Sequence, residues 1–159
     1  MDDAAVIWLN AQAQRDPRLT SLVSLAAERL AVLEVALMLL LGLAGRRRSA
    51  VRMVLAVSAI YVASECLGRA WPRQRPFERL DVTPLAAHEP GRSFPSRHVA
   101  SGLAMAVIGS REHERLGRVM TTVAVLLGLS RVAAGLHYPS DVAGGAVLGL
   151  AIGRYAHKP

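Results

Sequence analysis

Residues 119–156 read VMTTVAVLLGLSRVAAGLHYPSDVAGGAVLGLAIGRYA, which is two long apolar runs joined by a short polar turn. Apolar runs of about this length are typical of helices that cross a lipid bilayer. They predict one span over residues 119–136 and another over 139–156, with His137 at the turn between them.

The rest of the chain shows the same alternation of apolar and polar segments. Apolar runs predict three further spans, over residues 20–44, 50–67 and 98–110. A short amphipathic helix is predicted at 4–15, where it would lie at the membrane interface. The apolar residues of that helix are Ala5, Ile7, Trp8, Leu9 and Ala11. The sequence therefore predicts one all-α domain over 1–159, a polytopic transmembrane helical bundle of about five spans.

The predicted third span is short. Even when it is extended to residues 96–110, the helix would measure about 22 Å at ~1.5 Å per residue. The hydrocarbon core of a bilayer is about 30 Å thick. We therefore expect the start of this helix to lie below the membrane surface, in a pocket walled by the other helices.

Charged residues interrupt the first half of the first predicted span. They are Glu28, Arg29 and Glu34. Charges inside a span are costly unless they face a partner or a wet cavity. We therefore expect these side chains to have such surroundings.

Five spans would divide the loops between two sides of the membrane. The loop after the first span, a charged loop at 111–118 and the C-terminus share one side, whereas the polar stretch 68–97 and the turn at His137 share the other. Both sides are rich in arginine. If the arginines near the motifs described below bind a ligand, the first side is cytoplasmic and the site faces outward. The basic residues of the first side are Arg46, Arg47, Arg48, Arg52, Arg111, Arg115, Arg118, Arg154 and Lys158.

The formal net charge is +7, and nearly all of the positive charge is arginine because Lys158 is the only lysine. A basic protein often binds nucleic acid, but here the arginines lie between apolar segments without interleaved aromatic residues. The predicted partners are therefore the bilayer and a lipid phosphate, not nucleic acid. Cys66 is the only cysteine, so no disulfide can form within the chain.

Three polar clusters carry the candidate chemistry, and the first is Arg73-Gln74-Arg75-Pro76-Phe77. Arginines two positions apart around a proline-rich turn can form a fork for phosphate oxygens. The alternative is a basic patch beside the membrane that binds no specific ligand.

The second cluster is residues 93–98, SFPSRH, which is predicted to open the third long helix. Proline and serine start a helix well, and the free backbone N–H groups at a helix start attract anions. In the first turn, His98 could donate a proton to a leaving oxygen. The alternative is a capped helix with an incidental histidine.

The third cluster spans 130–141 and contains Arg131, His137 and Asp141. An unpaired arginine inside an apolar helix is costly, so we expect Arg131 to have an anionic partner. Asp141 lies one turn into the next helix, where its carboxylate can accept a hydrogen bond from the His137 ring. Such a bond fixes the tautomer and raises the nucleophilicity of the other ring nitrogen. The alternative is a structural arginine–aspartate pair with His137 filling the turn.

Together the clusters supply a nucleophile, an orienting carboxylate, an acid and a cationic cradle, which phosphoryl transfer requires. No metal and no cofactor are predicted. The acidic residues of the long loop, Glu78, Asp81 and Glu89, are scattered and lack the spacing of metal ligands.

The order and spacing of the clusters resemble the type 2 phosphatidic acid phosphatase superfamily, which includes bacterial lipid phosphatases and soluble vanadium haloperoxidases. The resemblance covers residues 69–145, including Gly135 and the glycines after Asp141. Its motifs are residues 69–77, 93–98 and 130–141.

This resemblance implies a role for each matching residue. His137 would attack phosphorus and form a phosphohistidine, and Asp141 would orient the His137 ring. His98 would protonate the leaving group. The phosphate oxygens would be bound by Arg75, Arg131, Ser96 and the backbone N–H of Arg97.

The chain departs from the family pattern at two positions. The family usually has a lysine seven residues before the arginine matched by Arg75, where this chain has Gly68. Arg69 or Arg73 could supply the missing charge. In the family motif Pro-Ser-Gly-His, Arg97 replaces the glycine, and it either adds a phosphate contact or points away from the pocket.

Within the superfamily the chain is most similar to bacterial undecaprenyl-diphosphatases of the bacitracin-resistance type. This implies hydrolysis of undecaprenyl diphosphate at the outer face of a bacterial inner membrane. The alternative substrates are phosphatidate and phosphatidylglycerophosphate, which would use the same site. Two other classes stay open: a vanadate-dependent oxidase, against which the spans and the short length argue, and a membrane interaction protein with a degenerate site.

Overall fold

The computed structural model describes residues 1–156, which form seven α-helices. The helices are α1 Asp2–Gln14, α2 Pro17–Leu43, α3 Arg47–Ala70, α4 Pro76–Arg79, α5 Arg97–Glu112, α6 Glu114–Ala133 and α7 Pro139–Tyr155. The predicted all-α fold is confirmed, because the five long helices coincide with the five predicted apolar segments. Lys158 lies outside the described residues.

The predicted charged loop at 111–118 is wrong. Helix α5 continues to Glu112 and α6 begins at Glu114, so only His113 separates them. The imidazole of His113 accepts a hydrogen bond from the Arg115 N–H at 3.3 Å, which caps the start of α6. The His113 side chain satisfies the start of α6 within a one-residue turn. The charged residues of 111–118 therefore lie on helix surfaces and not in a loop.

The count of five spans is only partly supported by length and composition. Among residues 1–156, helices α3 and α6 are each long and apolar enough to cross a membrane. Helices α5 and α7 are 16 and 17 residues long, shorter than a typical span. Helix α2 has sufficient length, but it contains Glu28, Arg29 and Glu34.

Large apolar side chains cover the outward faces of the long helices. Examples are Leu22, Leu25, Val32, Leu55, Val62, Leu126, Leu129 and Val147, all of them exposed. Continuous apolar surface of this kind marks a membrane-facing or partner-facing region.

Helix α5 lies at the centre of the bundle and packs against α2, α3, α6 and α7. Nine of its residues are buried, including Ala100, Ala104 and Ile108. The other helices therefore surround α5, whereas the expected depth of its start below the membrane surface stays a prediction. The helix starts at one end of the bundle, where Ser96 is buried and Arg97 is exposed.

Glycines on one face of α7 allow it to approach α5 closely. A side chain at Gly145 would place its Cβ 2.5 Å from the carbonyl oxygen of Ser96, and one at Gly149 would overlap the carbonyl of Ala100. This contact brings the first turns of the two helices together. The Ser96 N–H donates to the carbonyl of Asp141 at 3.0 Å.

The loops that the sequence assigned to the same side of the membrane lie at the same end of the bundle. At one end, the Arg46 guanidinium lies 3.4 Å from the Glu112 carboxylate, and the Ser49 hydroxyl also donates to Glu112. These contacts join the α2–α3 turn to the end of α5. The loop over 71–96 and the turn before α7 meet at the opposite end.

Helix α1 packs against this second end of the bundle and is hydrogen-bonded to it. The buried Asn10 side chain donates to the carbonyls of Thr83 and Ala133, both at 2.9 Å. The predicted helix is confirmed, but its inward face is Val6, Asn10 and Ala13. Ile7 and Trp8, predicted within the apolar face, are exposed.

Candidate active site

His137 is positioned by the way α6 ends. Gly135 adopts a φ of +74°, a left-handed conformation that commonly ends helices and that glycine adopts without strain. The N–H groups of Leu136 and His137 then turn back to the Arg131 carbonyl, at 3.0 and 3.3 Å. Helix α6 therefore ends at Ala133, three residues before the predicted end of the fourth span at residue 136.

The two nitrogens of the His137 ring face different groups. Nε2 lies 3.2 Å from Nη1 of Arg75. Nδ1 lies 3.7 Å from Oδ2 of Asp141 and 3.5 Å from the Ser93 hydroxyl. Donation of the Nδ1 proton toward Asp141 leaves a lone pair on Nε2, the nitrogen on the side of Arg75.

Asp141 is fully buried and held by several donors. Its Oδ2 accepts from the Tyr138 N–H at 2.8 Å and from the Ser93 hydroxyl. Its Oδ1 accepts from Nη1 of Arg73 at 2.9 Å. Three donors besides the histidine fix the carboxylate, so it can orient the ring without moving.

Arg73 is placed behind Asp141, apart from the Arg75 side of the ring. Its guanidinium also bonds Asp2 of α1 at 2.9 Å and Ser140 at 2.6 Å. The same guanidinium stacks over the Tyr138 ring, 3.7 Å from its centre. The structure therefore gives Arg73 carboxylate partners, where the sequence predicted a phosphate contact.

Arg75 and Arg131 are the buried arginines of the site, 4% and 5% exposed. Arg75 donates to the Leu136 carbonyl at 3.0 Å, and Arg131 donates to the Ala27 carbonyl at 3.0 Å. Within residues 1–156, Nε of each arginine has no hydrogen-bond partner. Among residues 1–156, no carboxylate forms an ion pair with either arginine.

These contacts decide between two readings of the third cluster. Asp141 pairs with Arg73, so the alternative of a structural pair between Arg131 and Asp141 is wrong. The anionic partner expected for Arg131 is not supplied by the described part of the chain. Two buried positive charges beside a histidine therefore attract an anion from outside the protein.

Burial sets the protonation of the loop histidines. It lowers the pKa of His137 to about 4, although the interaction with Asp141, 3.7 Å away, acts in the opposite direction. Burial and the charges of Arg75 and Arg131 lower the pKa of His88 to about 4. Both rings are therefore neutral at pH 7, and neutral His137 is the form that can act as a nucleophile.

His98 lies at the same end as His137. The residues that influence it electrostatically include Arg131, His137, His88 and Arg97. Its ring lines a cavity between α2, α3 and α5. The structure thus brings the two predicted catalytic histidines into one electrostatic neighbourhood.

Ser96 and Arg97 differ in their surroundings. Ser96 is fully buried, and its hydroxyl has no hydrogen-bond partner in the described part of the chain. Arg97 is exposed, with its guanidinium 5.2 Å from the centre of the Tyr61 ring. The Arg97 side chain also lines an outward cavity of about 670 Å³ that Arg75 and His88 share.

At Gly68, where the family usually has a lysine, the space is occupied by the side chain of Arg92. A Cβ at Gly68 would lie 3.2 Å from the Arg92 side chain. Arg92 lines the 670 Å³ cavity and pairs with Glu65. Arg69, suggested from the sequence, is exposed and pairs with Glu65 at 3.2 Å.

Sequence reasoning missed several members of the site. Ser93 bonds Asp141, and the His88 ring contacts His137 edge-on with 6.5 Å between ring centres. Asp2 reaches the site from the other end of the chain. Ser93 and His88 lie in or near a motif, but only the folded loop reveals which ring or carboxylate they touch. Among residues 1–156, no group of three or more His, Cys, Asp or Glu side chains could hold a metal.

The fold and the site together define a class of helical-bundle proteins with two buried arginines near a buried histidine. The sequence identifies the family within this class. Residues 49–158 match the PAP2 superfamily, and the chain belongs to it. The resemblance inferred from the three motifs is thereby confirmed.

Similar proteins come from several bacteria. A protein of Bacillus licheniformis named bacitracin transport permease protein BcrC is 34% identical over 103 residues, 62% of this chain and 51% of that protein. Undecaprenyl-diphosphatase BcrC of Bacillus subtilis is 35% identical over 79 residues, 50% of this chain and 41% of that protein. The chain spans about half the length of these curated relatives.

Two solved structures share the fold over nearly the whole chain. One is the transmembrane PAP2 type phosphatidylglycerolphosphate phosphatase from Bacillus subtilis, with a TM-score of 0.79 and 24% identity over 98% of this chain and 82% of that one. The other is Aquifex aeolicus LpxE, with a TM-score of 0.79 and 26% identity over 95% of this chain and 91% of that one.

Proposed function

We propose that this protein is a membrane-embedded phosphatase that hydrolyses lipid phosphates without a metal, with undecaprenyl diphosphate as its main substrate. The observation that carries the proposal is the pair of buried arginines beside neutral His137, whose Nε2 lies 3.2 Å from Arg75. The similarity to bacterial BcrC proteins supports the choice of substrate. This choice also agrees with the apolar surface of the bundle.

The first step is attack on phosphorus. Arg75 and Arg131 hold the phosphate oxygens, and Nε2 of His137 supplies the electron pair for a new P–N bond. Asp141 accepts the Nδ1 proton in a hydrogen bond and stabilises the positive charge that develops on the ring. Binding of the phosphate moves the Arg75 guanidinium from Nε2 to a phosphate oxygen.

The second step releases the lipid and then the phosphate. His98 donates its proton to the bridging oxygen as the P–O bond breaks, so the lipid leaves in protonated form. Water then attacks phosphorus, the P–N bond breaks, and His98 accepts the proton from that water. Ser96 and the backbone N–H of Arg97 donate to the phosphate, and Arg92 supplies the charge that the family lysine usually carries.

A trapping experiment tests this function. Purified protein in detergent is mixed with labelled undecaprenyl diphosphate and quenched in base, which preserves a phosphohistidine. Label on the wild-type protein and its absence from His137→Asn are expected, with loss of turnover of at least about 10³-fold, as for other nucleophile deletions. His113→Asn, at the opposite end, is the matched control and should behave as wild type.

Two outcomes would contradict the proposal. Unchanged turnover in His137→Asn would leave a membrane interaction protein with a degenerate site. Clear preference for phosphatidate or phosphatidylglycerophosphate over undecaprenyl diphosphate would favour the alternative substrate class.

We also propose that α2, α3, α5, α6 and α7 are the five membrane spans of a bacterial inner-membrane protein. The arginines at the Arg46 end would face the cytoplasm, and the candidate site would face outward. The shortness of α5 suits this arrangement because α2, α3, α6 and α7 surround it.

A further inference from the structure

Asp2, in the first turn of α1, is joined to the candidate site through one arginine. Its Oδ2 accepts a hydrogen bond from Nη2 of Arg73 at 2.9 Å. The other terminal nitrogen of the same guanidinium, Nη1, donates to Oδ1 of Asp141 at 2.9 Å. The second oxygen of Asp141 lies 3.7 Å from Nδ1 of His137. A chain of charged groups therefore runs from α1 to the ring that we propose as the nucleophile.

The Ser140 hydroxyl, in the first turn of α7, closes this arrangement. It accepts from Nη1 of Arg73 at 2.6 Å and donates to Asp2. The guanidinium of Arg73 also stacks on the Tyr138 ring, 3.7 Å from its centre. Arg73 is thus held between α1 and the start of α7, and it cannot turn away from Asp141 without losing several contacts at once.

The ionisation of Asp2 decides the charge of this cluster. Burial acts to raise the pKa of its carboxyl group, but hydrogen bonds from Ser140 and Arg73 outweigh that effect and leave the pKa below its ordinary value. Asp2 is therefore an anion at pH 7. Together, Asp2, Arg73 and Asp141 carry two negative charges and one positive charge, so the cluster keeps a single negative charge for His137.

This charge matters when the His137 ring becomes cationic. Attack by Nε2 on phosphorus places a positive charge on the ring, and Asp141 stabilises that charge. Arg73 lies 2.9 Å from the same carboxylate, and its own positive charge opposes the stabilisation. Asp2 is an opposite charge at 2.9 Å from the guanidinium, so it reduces the field of Arg73 at the ring.

Docking of α1 has other supports besides Asp2. Val6 is fully buried, and Asn10 donates to two backbone carbonyls at 2.9 Å. The side chains of Asp2 and Arg73 are 30% and 32% exposed, and ion pairs that solvent reaches contribute little to stability. The contact is therefore better explained by its effect on Asp141 than as an anchor of the helix.

We propose that Asp2 is a positioning residue for the phosphatase reaction, which acts through Arg73 to hold and charge-balance the carboxylate that orients His137. This rests on the proposed function. It makes α1 part of the catalytic apparatus, although α1 lies outside residues 49–158 that match the family. The phosphate chemistry itself stays with His137 and His98.

Asp2→Asn tests this role because it removes the charge and keeps the shape of the side chain. The measurement is steady-state hydrolysis of undecaprenyl diphosphate by purified protein in detergent. We expect kcat to fall about tenfold, the scale of losing a group that orients a reacting side chain. KM should not change, because the contact acts only as charge develops. Asp2→Glu, which keeps the charge, should retain most of the activity.

Asp3→Asn is the matched control. Asp3 is the next residue of α1 and pairs with Arg79 of α4, and the hydrogen bond that joins this pair does not involve Asp141. Its kcat should equal that of the wild-type protein. Thermal unfolding of both variants in detergent should resemble the wild type, because Val6 and Asn10 still hold α1.

A double-mutant cycle tests whether Asp2 acts through Arg73. Arg73→Gln should lower kcat by itself, because it removes a donor to Asp141. In that background Asp2→Asn should have no further effect, since the guanidinium charge that Asp2 balances is gone. The same fall in kcat in both backgrounds would overturn the route through Arg73.

The results separate this inference from the proposed function. Absence of lipid phosphate hydrolysis by the wild-type protein would overturn both. An unchanged kcat in Asp2→Asn, or an equal fall in Asp3→Asn, would overturn the positioning role alone. If Asp2→Asn does not fold, Ser140→Ala decides, because it removes the hydroxyl that joins Asp2 to Arg73: a lowered kcat supports the role and an unchanged kcat overturns it.

Discussion

At the scale of single residues, the candidate site depends on the different surroundings of the two ring nitrogens of His137. Nδ1 faces Asp141 and Ser93, whereas Nε2 faces only Arg75 among its close polar neighbours. The sequence predicted the pairing with Asp141 because four residues along a chain that enters a helix bring two side chains together. It could not predict Ser93, since that contact depends on the path of a loop 44 residues away.

Ser93→Ala tests the orienting role of this hydroxyl. Its loss removes one donor to Asp141, so the His137 ring is held less firmly and we expect kcat to fall about tenfold with little change in KM. The measurement is steady-state hydrolysis of undecaprenyl diphosphate. Ser110→Ala, at an exposed position near the other end, is the control, and equal kcat values for the two variants would contradict the role.

The low pKa of His137 makes stability depend on pH. In the unfolded chain histidine titrates near 6.5, whereas in the folded protein His137 titrates at about 4. Between these values the unfolded state binds more protons, so the free energy of unfolding falls as pH is lowered from about 6.5 toward 4. Thermal unfolding in detergent should show a shallower pH dependence for His137→Asn, and an unchanged dependence would disprove the shift.

At the scale of helices, apolar runs were sufficient to predict the position of all five long elements. They could not predict that α5 and α6 are separated by one residue, because charged residues suit an exposed helix surface as well as a loop. They also could not reveal that α1 presents Asn10 inward, since the partners of that amide are backbone carbonyls at Thr83 and Ala133. The periodicity of apolar residues predicts which face of a helix is apolar. It does not predict buried polar side chains that bind backbone carbonyls.

Gly149→Ala tests the contact between α5 and α7. The new Cβ would overlap the backbone of Ala100, which cannot move aside as a flexible side chain can. Overpacking of this kind typically costs about 1–3 kcal/mol, so we expect a lower unfolding temperature and reduced activity. Val147→Ala, on the exposed face of α7, should have much smaller effects; similar effects of both variants would count against the contact.

At the scale of the whole molecule, the bundle has two chemically different ends. Motif residues gather at one end, and at the other Arg46 and Glu112 close the turns. The three motifs predicted which residues meet, because helices that run back and forth return their ends to the same level. They did not reveal the cavity between α2, α3 and α5, because its lining depends on which helices are neighbours.

Sidedness can be measured with single cysteines. In a Cys66→Ala background, Glu89→Cys lies beside the candidate site and Arg115→Cys lies at the opposite end. We expect a membrane-impermeant maleimide to label Glu89→Cys in intact spheroplasts and to label Arg115→Cys only after lysis. The reverse pattern would place the site in the cytoplasm.

Chelation tests the proposed independence from metal. No cluster of metal ligands occurs among residues 1–156, so EDTA should leave hydrolysis of undecaprenyl diphosphate largely unchanged. Activity that is lost in EDTA and restored by Mg²⁺ would require a different chemistry at the site.

The close packing of the glycine face of α7 against α5 has a consequence for how the enzyme responds to its surroundings. Bilayers of different thickness tilt and stretch individual helices, but two backbones that interlock at van der Waals distance must move as one body. Because His98 and Asp141 belong to these two helices, their separation should be insulated from the lipid composition of the membrane. Changes in bilayer thickness are then expected to alter substrate access before they alter the chemical step.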